Sequence, residues 1–104
     1  MFRKTLLFAA MTVAALTWSL DETQAAAKLG QTCGGIAGIH CGRGLFCEFK
    51  NGTCGRFDQT GKCVKVPHIC FKIFQPVCGC NGKTYSNNCV RESNRVSEKH
   101  AGKC

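Results

Sequence analysis

Hydrophobic positions follow two different regimes along this chain. Near the N-terminus they form one continuous run, TLLFAAMTVAALTWSL, behind the basic start MFRK and ahead of DETQAAA. A charged start, a short apolar stretch and small residues before a cut describe a secretory signal peptide over 1–27, with cleavage after Ala27 or after Ala25. The run is too short and too rich in small residues to make a convincing membrane span. Beyond it the apolar positions break into short pieces separated by turn residues. LFCEF and TCGRF flank Lys50-Asn51-Gly52, and an Asn-Gly pair between short apolar pieces predicts a β-hairpin. QPVCG reads as extended, because the residue before Pro76 is pushed out of the helical region. Asn81-Gly82 predicts a type I′ turn leading into a strand through Thr84 and Tyr85. Ser86 or Asn87 can cap a helix running to about Arg95, with Val90 and Asn94 on one face and Asn94 ending it in the left-handed conformation. A strand over Val96–His100 follows, and AGKC closes the chain. The expected fold class is a small disulfide-rich α+β domain with one short helix and a small antiparallel sheet, preceded by a cysteine-rich β-hairpin.

Composition changes this picture in one decisive way. All 10 cysteines lie after the apolar run. An exported chain of this size buries too little apolar surface to fold securely alone, and an even, dense cysteine set implies five disulfides. Each bridge over a loop of about 15–20 residues is worth roughly 3 kcal/mol. Cys33, Cys41, Cys47 and Cys54 fall in residues 28–60. Cys63, Cys70, Cys78, Cys80, Cys89 and Cys104 fall in residues 61–104. The polar stretch RFDQTGK between them reads as a linker. With four and six cysteines, each segment can close its own bridges. For the first, Cys33–Cys47 with Cys41–Cys54 is one of three possible pairings.

Charge and candidate chemistry narrow the function by exclusion. The signal peptide carries as many basic as acidic residues, so the remainder keeps the formal charge of +8. Its basic residues are evenly spread and form no stripe interleaved with aromatics, which argues against nucleic acid. No amphipathic helix supports a membrane-active cationic peptide. The cysteines lack the paired Cys-x2-Cys spacing of a zinc site, and His40, His68 and His100 read as surface residues, so neither metal nor cofactor is expected. Asn51-Gly52-Thr53 is a glycosylation sequon within the predicted turn. With no nucleophile–base pair, phosphate loop or carboxylate dyad, the chain does not read as an enzyme.

From Cys63 onward, PVCG, GKTYSNNC and the final GKC resemble the Kazal-type serine protease inhibitor family. That resemblance implies a secreted (extracellular or periplasmic), monomeric, substrate-like inhibitor whose loop enters a serine protease cleft and is cleaved very slowly. The specificity residue would be Lys72, two positions after the domain's second cysteine, with Lys72–Ile73 as the reactive bond. Cys70 and Phe71 would precede it, and Phe74, Gln75 and Pro76 would follow. A lysine there suits a trypsin-like pocket with a carboxylate at its base. Asn87 would stand under the loop and hydrogen-bond its carbonyls, and Tyr85 would pack in the core. The implied pairs are Cys70–Cys89 and Cys78–Cys104.

The sequence departs from the family pattern in the helix. Glu92 stands where a cysteine is usual, and Cys80 appears instead, which suggests Cys63–Cys80 as the remaining pair. Phe71 is bulkier than is common beside the specificity residue. The first segment, HCGRGLFCEFKNGTC, looks like the hairpin that precedes the inhibitor-like unit in follistatin-type modules. The alternative function is therefore a non-inhibitory extracellular binding module.

Overall fold

The computed structural model describes residues 25–104, so nearly all of the expected signal peptide lies outside the described residues. Strands form where short runs of side chains fall between turns. β1 (Thr32–Gly34), β2 (Leu45–Glu48) and β3 (Thr60–Lys65) make one antiparallel sheet in the order β1-β3-β2. β4 (Val77–Gly79), β5 (Thr84–Tyr85) and β6 (Glu98–Ala101) make a second, in the order β5-β4-β6. Between β5 and β6 lies α1 (Asn88–Ser93).

Alternation along β3 places Gly61 and Cys63 inward and Lys62 outward, the period-2 pattern of a half-buried strand. Cys33 and Cys63 are fully buried, with Ala27 beside them. Gly61 is required by close approach: a Cβ there would lie 2.5 Å from the Glu48 carbonyl oxygen. In the second sheet all three residues of β4 are buried. Gly79 is again a contact position, since a Cβ would come within 2.8 Å of the Tyr85 ring and of Val96. So small a core leaves most of the order to covalent links.

Those links are Cys33–Cys47, Cys41–Cys63, Cys54–Cys80, Cys70–Cys89 and Cys78–Cys104. Two expected pairs, Cys41–Cys54 and Cys63–Cys80, are therefore corrected. The reason is β3. It is the central strand of the first sheet, so Cys63 faces inward against Cys41 and cannot serve the second segment. Cys54 is left to reach Cys80. The segments do not close their own bridges, and the boundary expected at residue 60 falls inside β3.

The local predictions need three further corrections. No hairpin joins LFCEF to TCGRF; β2 pairs with β3 instead. Positive φ at Gly52, Cys54, Gly55, Phe57 and Asp58 rules out a strand there. Successive bonds from Thr53 N to Lys50 O, Arg56 N to Thr53 O and Gln59 N to Arg56 O wind the chain through turns. The β4–β5 connection is not a type I′ turn, because Gly82 has positive φ and Asn81 does not. Asn81 acts through its side chain, accepting from Lys83 N at 3.1 Å. Finally, α1 stops at Ser93, and Arg95 rather than Asn94 takes the left-handed conformation.

The two sheets are joined by a short polar seam. Phe49 N donates to Ser97 Oγ at 3.0 Å, and Gly52 N donates to Glu98 O at 3.0 Å. Arg91, 3% exposed on α1, pairs through Nη2 with Glu48 Oε1 of β2 at 2.8 Å. Leaving a buried guanidinium without its partner costs on the order of 3–5 kcal/mol. Cys54–Cys80 closes the seam covalently.

Ala27 also changes the expected start of the folded unit. It is 6% exposed, its N donates to His40 O and its O accepts from Gly42 N, both at 2.9 Å. Cleavage after Ala25 would keep these bonds, and cleavage after Ala27 would remove them. A protein starting at Lys28 is expected to be less stable than one starting at Ala26 by about 1–2 kcal/mol. Thermal denaturation of the two should then differ by roughly 5–10 °C, and equal midpoints would show that Ala27 is dispensable.

Candidate functional site

The stretch from Cys70 to Pro76 belongs to no strand or helix, yet it is fastened at both ends. Cys70 is bonded to Cys89 in α1, and Cys78, just beyond Pro76, is bonded to Cys104. Gln75 N donates to Ser86 O, and Pro76 O accepts from Gly102 N, each at 2.8 Å. Within the loop, Ile73 N donates to Phe71 O at 2.9 Å. An i to i+2 bond around a residue without positive φ is an inverse γ-turn, here centred on Lys72. The turn presents Lys72 at the tip, where its ammonium has no ion pair or hydrogen bond among the described residues.

The neighbours of Lys72 are unusual for a free surface. Phe71 is 81% exposed and Phe74 71%, and Ile69 and Ile73 are also exposed. Four large apolar side chains within six residues form the kind of patch that marks an interaction site. Lys103 Nζ stands 5.9 Å from the centroid of the Phe74 ring. At an exposed position such a contact is worth about 0.5–1 kcal/mol.

Asn87 organises the loop from beneath. It is 7% exposed, held between the loop and the start of α1. Its Oδ1 accepts from Val90 N at 2.9 Å and caps the helix. Its Nδ2 donates to Phe71 O at 3.2 Å and to Ile73 O at 2.7 Å. Those carbonyls lie on either side of the Lys72–Ile73 peptide bond. Only a carboxamide of this length offers an acceptor to the helix and two donors to the loop at once. α1 has six residues, too few to persist alone in water, so it relies on this cap and on Cys89.

Tyr85 contributes indirectly. It is half-buried, and its hydroxyl accepts from Asn81 Nδ2 at 2.7 Å, fixing the β4–β5 connection. Cys33, Cys41 and Cys63 bring sulfurs within 4.8 Å of one another. These atoms belong to two stacked disulfides and are not thiolates available as ligands.

Sequence reasoning missed two residues that matter here, Glu48 and Arg91, and gave Cys54 the wrong partner. Glu48 had a signal, since it shares a strand face with buried Phe46 at i, i+2, an inward position for a charge. Arg91 adds bonds from Nε to Asn88 Oδ1 at 3.1 Å and from Nη1 to Val96 O at 2.6 Å. Beside it, Glu92 has its pKa raised, first by desolvation and then by the Glu48 charge, with Arg91 opposing.

A disulfide-fixed loop, with an exposed tip and a buried carboxamide bonded to the carbonyls on either side of one peptide bond, defines a small protein that presents a rigid loop. Residues 54–104 match the family described as the Kazal-type serine protease inhibitor domain. The human serine protease inhibitor Kazal-type 6 is 32% identical over 68 residues, covering 59% of this chain and 76% of that protein. The chain belongs to the Kazal-type serine protease inhibitor family. It is also similar to chicken ovoinhibitor, 33% identical over 78 residues and 66% of this chain, and to zebrafish serine protease HTRA1B, 39% identical over 82 residues and 71% of this chain. The matches span only 14% and 16% of those two proteins. The family match begins at Cys54, which agrees with Cys54, not Cys63, being the partner of Cys80.

Asn87→Asp separates the two duties of this side chain. A carboxylate still caps α1 but offers the loop no donor. Each lost loop hydrogen bond is worth about 1 kcal/mol. Circular dichroism should stay unchanged while trypsin cuts after Lys72 at least about tenfold faster. An unchanged cleavage rate would show that Asn87 does not hold the loop.

Proposed function

We propose that this protein is a secreted inhibitor of trypsin-like serine proteases, with Lys72–Ile73 as its reactive bond and residues Cys70–Pro76 as the segment that enters the protease cleft. The observation that carries this reading is the pair of bonds from Asn87 to the carbonyls of Phe71 and Ile73. They flank the Lys72–Ile73 peptide bond, whose preceding residue is an exposed lysine with no ion pair or hydrogen bond among the described residues. A long cationic stem can reach a carboxylate at the base of a deep pocket. Ile73 and Phe74 supply apolar contact on the leaving side, and Phe71 supplies it on the acyl side. Phe71 also restricts the target to proteases with room for a ring beside the specificity pocket. The apolar N-terminal run and the five disulfides, which need an oxidising compartment, support secretion. Among the described residues no helix is long and apolar enough to cross a membrane.

Titration of the oxidised protein against trypsin, beside a chymotrypsin-like and an elastase-like enzyme, tests this reading. Stoichiometric loss of trypsin activity alone is expected. Lys72→Ala should weaken inhibition at least about hundredfold, the scale of losing a central anchor. A correctly folded protein that inhibits none of the three enzymes would contradict the proposal.

A further inference from the structure

The seam between the two sheets reaches the loop by a short path. Glu48 Oε1 of β2 lies 2.8 Å from Arg91 Nη2, whereas the neighbouring Glu92 Oε1 lies at 3.5 Å. The Arg91 guanidinium in turn braces the start of α1, where Nε donates to Asn88 Oδ1 at 3.1 Å, next to the Asn87 cap. Its Nη1 bonds Val96 O, beyond the far end of α1. Asn87 then holds the two loop carbonyls. Cys80, which would otherwise be available to this half of the chain, is bonded outward to Cys54. Among the described residues Arg91 is the one buried cation, and its closest counter-charge therefore comes from the other sheet.

We propose that Glu48 is a positioning residue for the loop, acting through Arg91 and Asn88 on the helix start that Asn87 caps, so that the cysteine-rich segment is a working part of the loop frame and not a passenger. The inference rests on Lys72–Ile73 being the reactive bond only for its effect on inhibition; its effect on the loop frame stands apart from that reading. A buried guanidinium deprived of its closest carboxylate must reorganise, because it cannot lose its proton. The reorganisation falls on the guanidinium's bonds to Asn88 Oδ1 and Val96 O, which brace the two ends of the short helix that Asn87 caps. Phe49–Ser97, Gly52–Glu98 and the five disulfides are untouched by the change, so the fold survives it.

The test is Glu48→Gln in the full oxidised protein, with Glu48→Asp and Glu92→Gln beside it. The first readout is hydrogen exchange by NMR at the Asn87 side-chain amide and at Gln75 N–H, with Val64 N–H in the first sheet as the internal control. Exchange at Asn87 and Gln75 should quicken about tenfold in Glu48→Gln, with Val64 unchanged. Glu48→Asp should recover part of the effect, and Glu92→Gln should show little. The second readout, well below the melting temperature, is the rate of trypsin cleavage after Lys72, which should rise in the same order. Equal quickening at all three amides would mean a merely structural role and overturn the proposal, as would no change at Asn87. Failure of the wild-type protein to inhibit trypsin would sink the proposed function, while the exchange data would still decide the role of Glu48.

Discussion

One carboxamide joins the parts of this molecule that matter for its function. Asn87 turns its oxygen to the first turn of α1 and its nitrogen to the carbonyls of Phe71 and Ile73. Helix and loop are thereby ordered by the same group. Neither could be ordered alone: a six-residue helix does not propagate by itself, and a loop without ladder bonds has no register. Remove the donor and the loop keeps its covalent anchors but loses the geometry around its central peptide bond.

The rest of the frame is explained by scarcity of core. Holding one residue's backbone in a single conformation costs about 1–2 kcal/mol, so the five residues between Cys70 and Pro76 represent on the order of 5–10 kcal/mol of ordering. Folding absorbs that cost through Cys70–Cys89, Cys78–Cys104 and the bonds to Ser86 and Gly102, before any partner arrives. A partner then meets a loop already shaped, which is how a small surface can bind tightly. The side chains left outward are Phe71, Lys72, Ile73 and Phe74.

The frame of the site was legible through the resemblance carried by PVCG, GKTYSNNC and GKC, which implied Asn87 beneath the loop and the pairs Cys70–Cys89 and Cys78–Cys104. Local signals alone gave the extended residue before Pro76 and a cap at Ser86 or Asn87. The structure places Asn87 under Phe71 and Ile73 and joins Cys70 to Cys89 and Cys78 to Cys104. The architecture of the first segment was not legible, for an equally physical reason. Cys63 is claimed by the first sheet because β3 lies between β1 and β2, a long-range fact that spacing does not encode. Once Cys63 is taken, Cys54 must cross to Cys80, and the two segments become one interlocked unit. The Lys50-Asn51-Gly52 stretch carried a true turn signal but a false hairpin one. Positive φ values follow at Cys54, Phe57 and Asp58, where the chain turns away from β2. Arg91 could be placed on a helix, but its burial against Glu48 depends on the docking of the two sheets.

The central claim is that the frame holds the loop so firmly that breaking its central bond changes little. After a cut at Lys72–Ile73 both new ends remain within a few residues of a disulfide, and each still carries a carbonyl bonded to Asn87. The most direct measurement is the equilibrium between intact and cleaved protein, approached from both directions with a trace of trypsin. Starting from either pure form, the same mixture should result, with intact protein a substantial part of it, because the ends stay at high effective concentration. Complete conversion to the cleaved form from both directions would contradict the account, since it would mean that the ends separate once the bond is broken.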